Sequence, residues 1–460
     1  MKSKLLRRVV VVLVLAFSVP VFAQTAGREY LLGESSVRDV SEKLIELLQN
    51  SQDRRLWGDY SSEKIELTFA GKPGMTIVID HRFGDIDVVK GSNSSVKIDG
   101  EKRVSAQNKD IEEEFLREMR LIVDESEDRL RITAEYPEQR ERRGRRNIRN
   151  FAIMYTIEVP ENVTLEMENS FGDIELTDLK GDFNVRNTFG TLTADGLEGD
   201  VTLRNQFGML DAEDITGTAD ISNEHGELII DTVVGPLEAD NQHGTVRVID
   251  VTGNIDIRGG HGEMDIKRVT GDADIRNSFG AITCSDISGI VDIRNNNSKV
   301  EVYNADKDVT IQNSFGRIRA VEIGGNLDIK NNNSAVQVED ISGDIEINNS
   351  FGSVDILRAE GNIRVVNSNG GIDVRNILLN SGEAMSVLLE TSFASIDIEL
   401  PEDISARIDA STTFGNIRYD FDADEERTSI NDKQVRTTLG AGTHQIILET
   451  KNGSINIRQR

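Results

Sequence analysis

The chain has 460 residues, with 52 basic against 80 acidic side chains and a formal charge of -28. Such a surface repels DNA, RNA and anionic lipid, which excludes nucleic-acid binding as a default reading. Aromatics at 5%, 6 prolines and 39 glycines suit many short strands joined by glycine turns, not a thick helical core. The one cysteine, Cys284, has no intramolecular partner, so packing alone must hold the fold.

In chain order, residues 1–23 read as a secretory signal peptide. "MKSKLLRR" is a basic region, "VVVVLVLAFSVPV" is too short to span a membrane comfortably, and Val21-Phe22-Ala23 resembles a cleavage site. Cleavage takes the charge from -28 to -32, because Lys2, Lys4, Arg7 and Arg8 are lost. Residues 24–63 form an expected helical segment: Val37, Val40, Leu44, Leu47 and Leu48 share a face over 35–52, with Ser35 or Ser36 as N-cap. Residues 64–153 read as a capping region. Within it 75–100 is strand-like and carries an outlying Phe83-Gly84, 110–120 reads as a helix, and 121–136 as a hairpin.

Residues 154–384 carry a repeat of eighteen. Its corner dipeptide falls at Phe171-Gly172, then Phe189, Phe207, His225, His243, His261, Phe279, Asn297, Phe315, Asn333, Phe351 and Asn369, with no insertion. A fixed period of this kind marks a solenoid. Within each unit apolar residues alternate twice with polar ones, as at Ile174, Leu176, Phe183 and Val185, so each unit holds two half-buried strands. A "D-h-x-G" turn divides the strands and an "N-x-F-G" turn follows them; glycine suits a corner where φ turns positive. The expected fold is therefore an all-β, parallel two-sheet β-solenoid with small helical capping elements at its N-terminal end. Twelve coils at a strand spacing of about 4.8 Å give a rod of roughly 58 Å. Residues 385–460 keep the style with longer connections and an acidic loop at 420–434; they read as irregular C-terminal coils.

The stretch "MYTIEVPENVTLEMENSFGDIEL" (154–176) and the ending "GAGTHQIILETKNGSINI" (440–457) resemble a bacterial domain-of-unknown-function family labelled adhesin and also called toastrack. The resemblance runs from about Lys64 to Arg460. It implies an extracytoplasmic β-solenoid, of a kind linked to envelope stress systems or surface binding, and it brings no catalytic residues. The chain departs from the family in carrying Phe where relatives have Ser or Asn, and in lacking the membrane segments of many signalling relatives.

Several columns run along the expected rod. The asparagine opening each unit (169, 187, 205 and onward, broken by Gly259) is suited to bonding along the rod and tolerates left-handed backbone. His225, His243 and His261 with Glu227 and Glu263 suggest a zinc or copper site, but parallel rings do not converge on one metal. Asp220, Glu238, Asp256, Asp274 and Asp292 suggest calcium. They lack the "G-G-x-G-x-D" nonapeptide, and Arg258, Arg276 and Arg294 beside them favour a solvated, charge-paired sheet face. "RERRGRR" (140–146) reads as a solvated basic loop. The Phe column accepts His and Asn without a shift of register, so its corner should be part-exposed. Such rings either stabilise the corner or stack on sugars or on a partner. The alternating Phe279, Phe315 and Phe351, whose faces no ring covers, are the ligand-surface candidates.

No catalytic residues, metal or cofactor are expected. The expected function is a non-catalytic, exported, adhesin-like binding or structural module of the cell envelope, periplasmic or at the cell surface. Its partner would be an envelope polymer or envelope protein, with no nucleic acid and no membrane span after cleavage. An envelope-stress accessory protein is one alternative. A polysaccharide-acting β-helix enzyme is the other, and it would need unlike polar residues breaking the repeat on one face.

Overall fold

The computed structural model describes residues 57–137, 148–378, 384–421, 429–431 and 433–460. The expected signal peptide, the 35–52 helix, the basic loop and most of the acidic loop lie outside the described residues.

The repeat folds as its period requires. Each coil contributes one strand to each of two sheets. Between Val163 and Ala359 each strand pairs in parallel and in register with the strand eighteen residues on, as in Leu192↔Leu210 and Val201↔Ala219. Inward side chains such as Leu192, Leu210, Leu228 and Ile282 are fully buried between the sheets. Each contributes about 1.5–3 kcal/mol, and only because the next coil covers it. Cys284 is one of these buried residues, and burial pushes its thiol well up from the ordinary range.

Both kinds of turn explain their residues. At the "N-x-F-G" corner Gly190 has φ 134°, and a Cβ there would lie 2.1 Å from the Gly172 carbonyl of the coil beneath. The coils stack too closely for any side chain at that point. The ladder asparagines bond along the rod as expected, but none adopts left-handed backbone. That conformation falls on the opposite corner, at Asp178, Asp214, Asp250 and their non-glycine equivalents, with φ of 55–60°. The asparagines are buried, and their amides serve the corner instead. Asn223 Nδ2 donates to Gly208 O of the preceding coil at 3.0 Å and to Glu227 O of its own at 3.2 Å.

The two ends depart from chain order. At the N-terminal end, β1 (Ser61–Ala70), β2 (Thr76–Asp80), β3 (Ile86–Lys90) and β4 (Ser95–Ala106) lead to helix α1 (Lys109–Glu118). There follow β5 (Arg120–Glu125), β6 (Arg129–Glu135), β7 (Ile148–Val159), β8 (Val163–Phe171) and β9 (Ile174–Phe189). β2 lies between β6 and β8, and β3 between β7 and β9, all parallel. The β2–β3 coil is thus inserted in the rod beneath the Phe171 coil, so Phe83-Gly84, expected in a cap, is a corner of the solenoid itself. β4 and β1 extend one sheet antiparallel and β5 extends the other, which ends the stack. The helix falls one to two residues from its expected bounds. Its Asn108 cap accepts from Asp110 N at 2.7 Å, and buried Glu112 accepts from Ala106 N and Ser61 Oγ.

The C-terminal end repeats the device. His444–Thr450 lies parallel between Ser386–Thr391 and Ala406–Thr412, and Ile455–Gln459 lies between Ile396–Leu400 and Ile417–Tyr419. The last coil in the chain is therefore second from the end in space. Antiparallel Gln434–Thr438 and Ser429–Asn431 close that sheet edge.

Candidate functional site

The corner column divides into two parts. Phe83, Phe171, Phe189, Phe207, His225, His243, His261 and Phe279 form one unbroken pile of rings. Successive centroids are 4.7–5.2 Å apart and neighbouring planes are within 26°. The spacing is that of the strands, so the backbone sets it. The pile includes Phe279, which lies 4.7 Å from His261 at 6°, so one of its faces is covered, contrary to the sequence reading. The three histidines are members of the pile, with successive planes 26° and 7° apart.

Beyond Phe279 the column alternates. Asn297, Phe315, Asn333, Phe351 and Asn369 follow in register. The inserted coil then continues the alternation. Phe393 stands over Asn369, Asn452 over Phe393, and Phe414 over Asn452, as the pairings Asn367↔Thr391, Thr391↔Thr450 and Thr412↔Thr450 require. In chain order Phe393 and Phe414 are adjacent members of the column; in space an asparagine separates them.

Thr391, Thr450 and Thr412 take the place of the ladder asparagine there. Their hydroxyls donate to Gly370 O, Ala394 O and Gly453 O at 3.1, 3.0 and 2.9 Å, tracing the same spatial order. Each column asparagine is tied to the backbone beneath it. Asn297, Asn333, Asn369 and Asn452 donate to the carbonyls of Ser278, Ser314, Ser350 and Ser392, each the residue before a Phe. Among the described residues Phe315, Phe351, Phe393 and Phe414 have no ring neighbour. They are 54%, 52%, 65% and 75% exposed, against 42% and 41% for Phe171 and Phe189 in the pile.

The charge changes at the same point. Take the five residues of each corner, from the ladder asparagine or threonine to the residue after the glycine position. From the Phe279 corner to the Phe414 corner, nine in succession hold no Asp or Glu, and they include Lys299, Arg317 and Lys451. The corners of the pile hold Asp85, Asp173, Glu224, Glu227 and Glu263.

The acidic column is paired. Arg258 bonds Glu238 at 2.7 Å and Asp256 at 2.6 Å, Arg294 bonds Asp292 at 2.6 Å, Arg204 bonds Asp220 at 2.6 Å, and Arg276 bonds Asp274. No group of three or more His, Cys, Asp or Glu side chains is arranged to hold a metal ion among the described residues. No helix among them is long and apolar enough to cross a membrane.

One buried group had no signal in spacing alone. His81 stands where the next coil has Asn169, beneath the pile, and is 2% exposed. Its Nδ1 lies 3.3 Å from the Tyr155 hydroxyl, and the two rings meet edge-on at 5.1 Å. Burial pushes its pKa down to about 4. The Tyr136 hydroxyl donates to Phe83 O at 2.8 Å and accepts from Phe83 N, fixing the first ring of the pile.

The class is thus a parallel two-sheet β-solenoid whose corner changes midway from a ring pile to exposed single rings. Residues 298–458 match the family model Toastrack DUF4097, so that stretch of the chain is similar to the toastrack family. Among similar solved structures is a "putative cell adhesion protein" from Clostridium sporogenes ATCC 15579, with 9% identity over 86% of this chain and 100% of that one, TM-score 0.15. Two structures titled "putative adhesin" come from Parabacteroides merdae ATCC 43184 and Parabacteroides distasonis ATCC 8503. Both are 12% identical, with 59% and 61% of this chain covered, 97% of each of theirs, and TM-scores of 0.24 and 0.20. No curated protein matches the chain.

Proposed function

We propose that the chain is a non-catalytic, exported binding or structural module of the cell envelope, and that the exposed Phe row, which begins with Phe279, Phe315 and Phe351, is its contact surface. The observation that carries this reading is the joint change at Phe279: ring exposure rises and carboxylates vanish from the corner together. Contact cores are depleted in charge and enriched in aromatics, so the two changes point to the same use. The reading of residues 1–23 as an export signal supports the location. The regular columns support a role without catalysis, since among the described residues they leave no cluster of unlike polar groups.

The test is retention of envelope extract on the immobilised chain. Wild type should retain an envelope polymer or protein, and the variant with Phe279, Phe315 and Phe351 changed to Asn should not, while keeping its β-type circular dichroism. Equal retention by a folded triple variant would remove the Phe row as the contact surface.

A further inference from the structure

The exposed row has a shape that narrows its partner. A ring held as Phe279 is, within 6° of the pile, turns its face along the rod and its edge outward. A sugar chain laid along the corner would meet ring edges, not faces. What meets the faces is something that enters the slots between successive rings. Each slot spans two coils, about 9.6 Å, so a flat ring inserted midway would lie about 4.8 Å from each wall. That is the spacing which Phe189 already shows from Phe171 and Phe207 on either side of it in the pile, 4.9 and 4.8 Å. The asparagine at the foot of each slot is shorter than Phe and is bonded down to the backbone, which leaves the outer part of the slot open.

A partner must then present single rings at the same two-coil pitch, out of step by one coil. The same row on another copy of this chain does so. We propose that this corner is a self-complementary comb, and that it pairs with the same corner of a second copy, the two rods running antiparallel about a two-fold axis. The proposal rests on the Phe row being the contact surface.

The spatial order of the row makes the arrangement close. Counting coils from Phe279, rings stand on every even coil as far as Phe414 and asparagines on every odd coil. Reversing one row and shifting it by an odd number of coils sets every ring opposite an asparagine. In the fullest overlap Phe393 of one copy enters above Asn333 of the other, and the reverse holds by symmetry. Such an isologous contact uses the same patch twice and does not propagate into a filament. The insertion of the 444–459 coil is what makes the comb regular: without Asn452 between them, Phe393 and Phe414 would be neighbours and would close a slot. The absence of carboxylates from nine successive corners also fits a partner that is itself strongly acidic. The repulsion between two chains of formal charge -28 is kept off the contact line.

Sedimentation velocity on the full chain across a concentration series tests this. Wild type should show a reversible dimer that strengthens as salt is raised, because screening weakens the repulsion between the two acidic rods. Changing Phe315, Phe351 and Phe393 to Asn should weaken dimerisation by at least about tenfold. The contrary variant, Asn333→Phe with Asn369→Phe, removes no ring but fills two slots. It should weaken dimerisation comparably while melting no lower than wild type, an outcome that a merely apolar patch would reverse. Asn333→Cys mixed with Phe393→Cys should form a disulfide-linked pair that neither variant forms alone, and its absence would overturn the antiparallel register. A wild type that stays monomeric at every concentration, or a dimer that survives both sets of changes, would overturn the pairing. Monomeric wild type that still retains envelope material through its Phe row would leave the function proposed above standing and only the second copy excluded.

Discussion

The rod is one backbone with two corners. From Phe83 to Phe279 the column is a continuous pile of rings; from Phe279 to Phe414 it alternates ring and amide. Beneath both, the buried asparagine ladder and the close stacking of the coils are nearly unchanged. Asn223 and Asn313 make the same pair of bonds, to the corner carbonyl of the coil below and to a carbonyl of their own corner. The corner therefore closes whether or not rings are stacked outside it. The ladder side chain, amide or hydroxyl, serves the corner carbonyls and leaves the outer column free. A pile covers its own faces; an alternation exposes them, and the carboxylates disappear where it begins.

Four measurements test that contrast. The largest effect is expected at the base of the pile, where His81 is buried neutral. Its pKa of about 4 in the fold lies below the ordinary 6.5, so between those values the unfolded chain binds the proton and the folded one does not. Stability should thus fall as pH drops from about 6.5 to 4, by about 3 kcal/mol for this group. Asp85 and Asp87 nearby, raised by burial, work in the opposite sense, so the His81 effect is read as the difference between wild type and His81→Gln in acid melts. Hydrogen exchange at low pH should open the pile end before the alternating end.

Next come Asn223→Leu and Asn313→Leu. Each removes two bonds from buried corner carbonyls and should cost about 2 kcal/mol in chemical denaturation. Near-equal costs are expected, because the ladder is common to both parts; a large difference would show that the outer rings do support the backbone. Phe189→Asn comes third, at about 1–2 kcal/mol, since two stacked neighbours are lost. Phe315→Asn, with no ring neighbour, should cost less than half of that. The smallest effect is expected on the sheet face. Arg276→Gln breaks pairs to Asp274 and Asp256 that are part-exposed, and should change stability by at most about 1 kcal/mol, less at high salt.

The repeat was legible because it is local: eighteen residues state the strand, the corner and the inward column each time, and the sheets, the register and the buried Cys284 follow. What remained hidden is non-local. Phe83 belongs to the pile although 88 residues separate it from Phe171, and an inserted cap interrupts the period. The recurrence of "FGDI" at 83–86 and 171–174 was the available signal, and it would also have placed His81 in the asparagine column. The order of the last coils left no such trace, since a strand docks between two others without any local mark in its sequence. For that reason the sequence shows the alternation only as far as Phe351 and Asn369, and nothing local marks Phe393 and Phe414 as members of the row. Phe279 reads as an uncovered ring in the sequence because its neighbour in the column is a histidine, whereas the His261 imidazole stacks on it as a phenyl ring would.

The inserted coils bear on how the rod carries tension. A solenoid that ends on its last-made coil presents a single flank, and a pull on its terminus would peel that coil away one hydrogen bond at a time. Here the strands 444–450 and 455–459 are gripped on both flanks, as are β2 and β3 at the other end. A load applied at Arg460 along the strand is shared at once by two parallel ladders, so the bonds fail together or not at all. Resistance to unravelling is thus set by shear across a whole coil, and it is built in by topology, with no disulfide and no metal clip required.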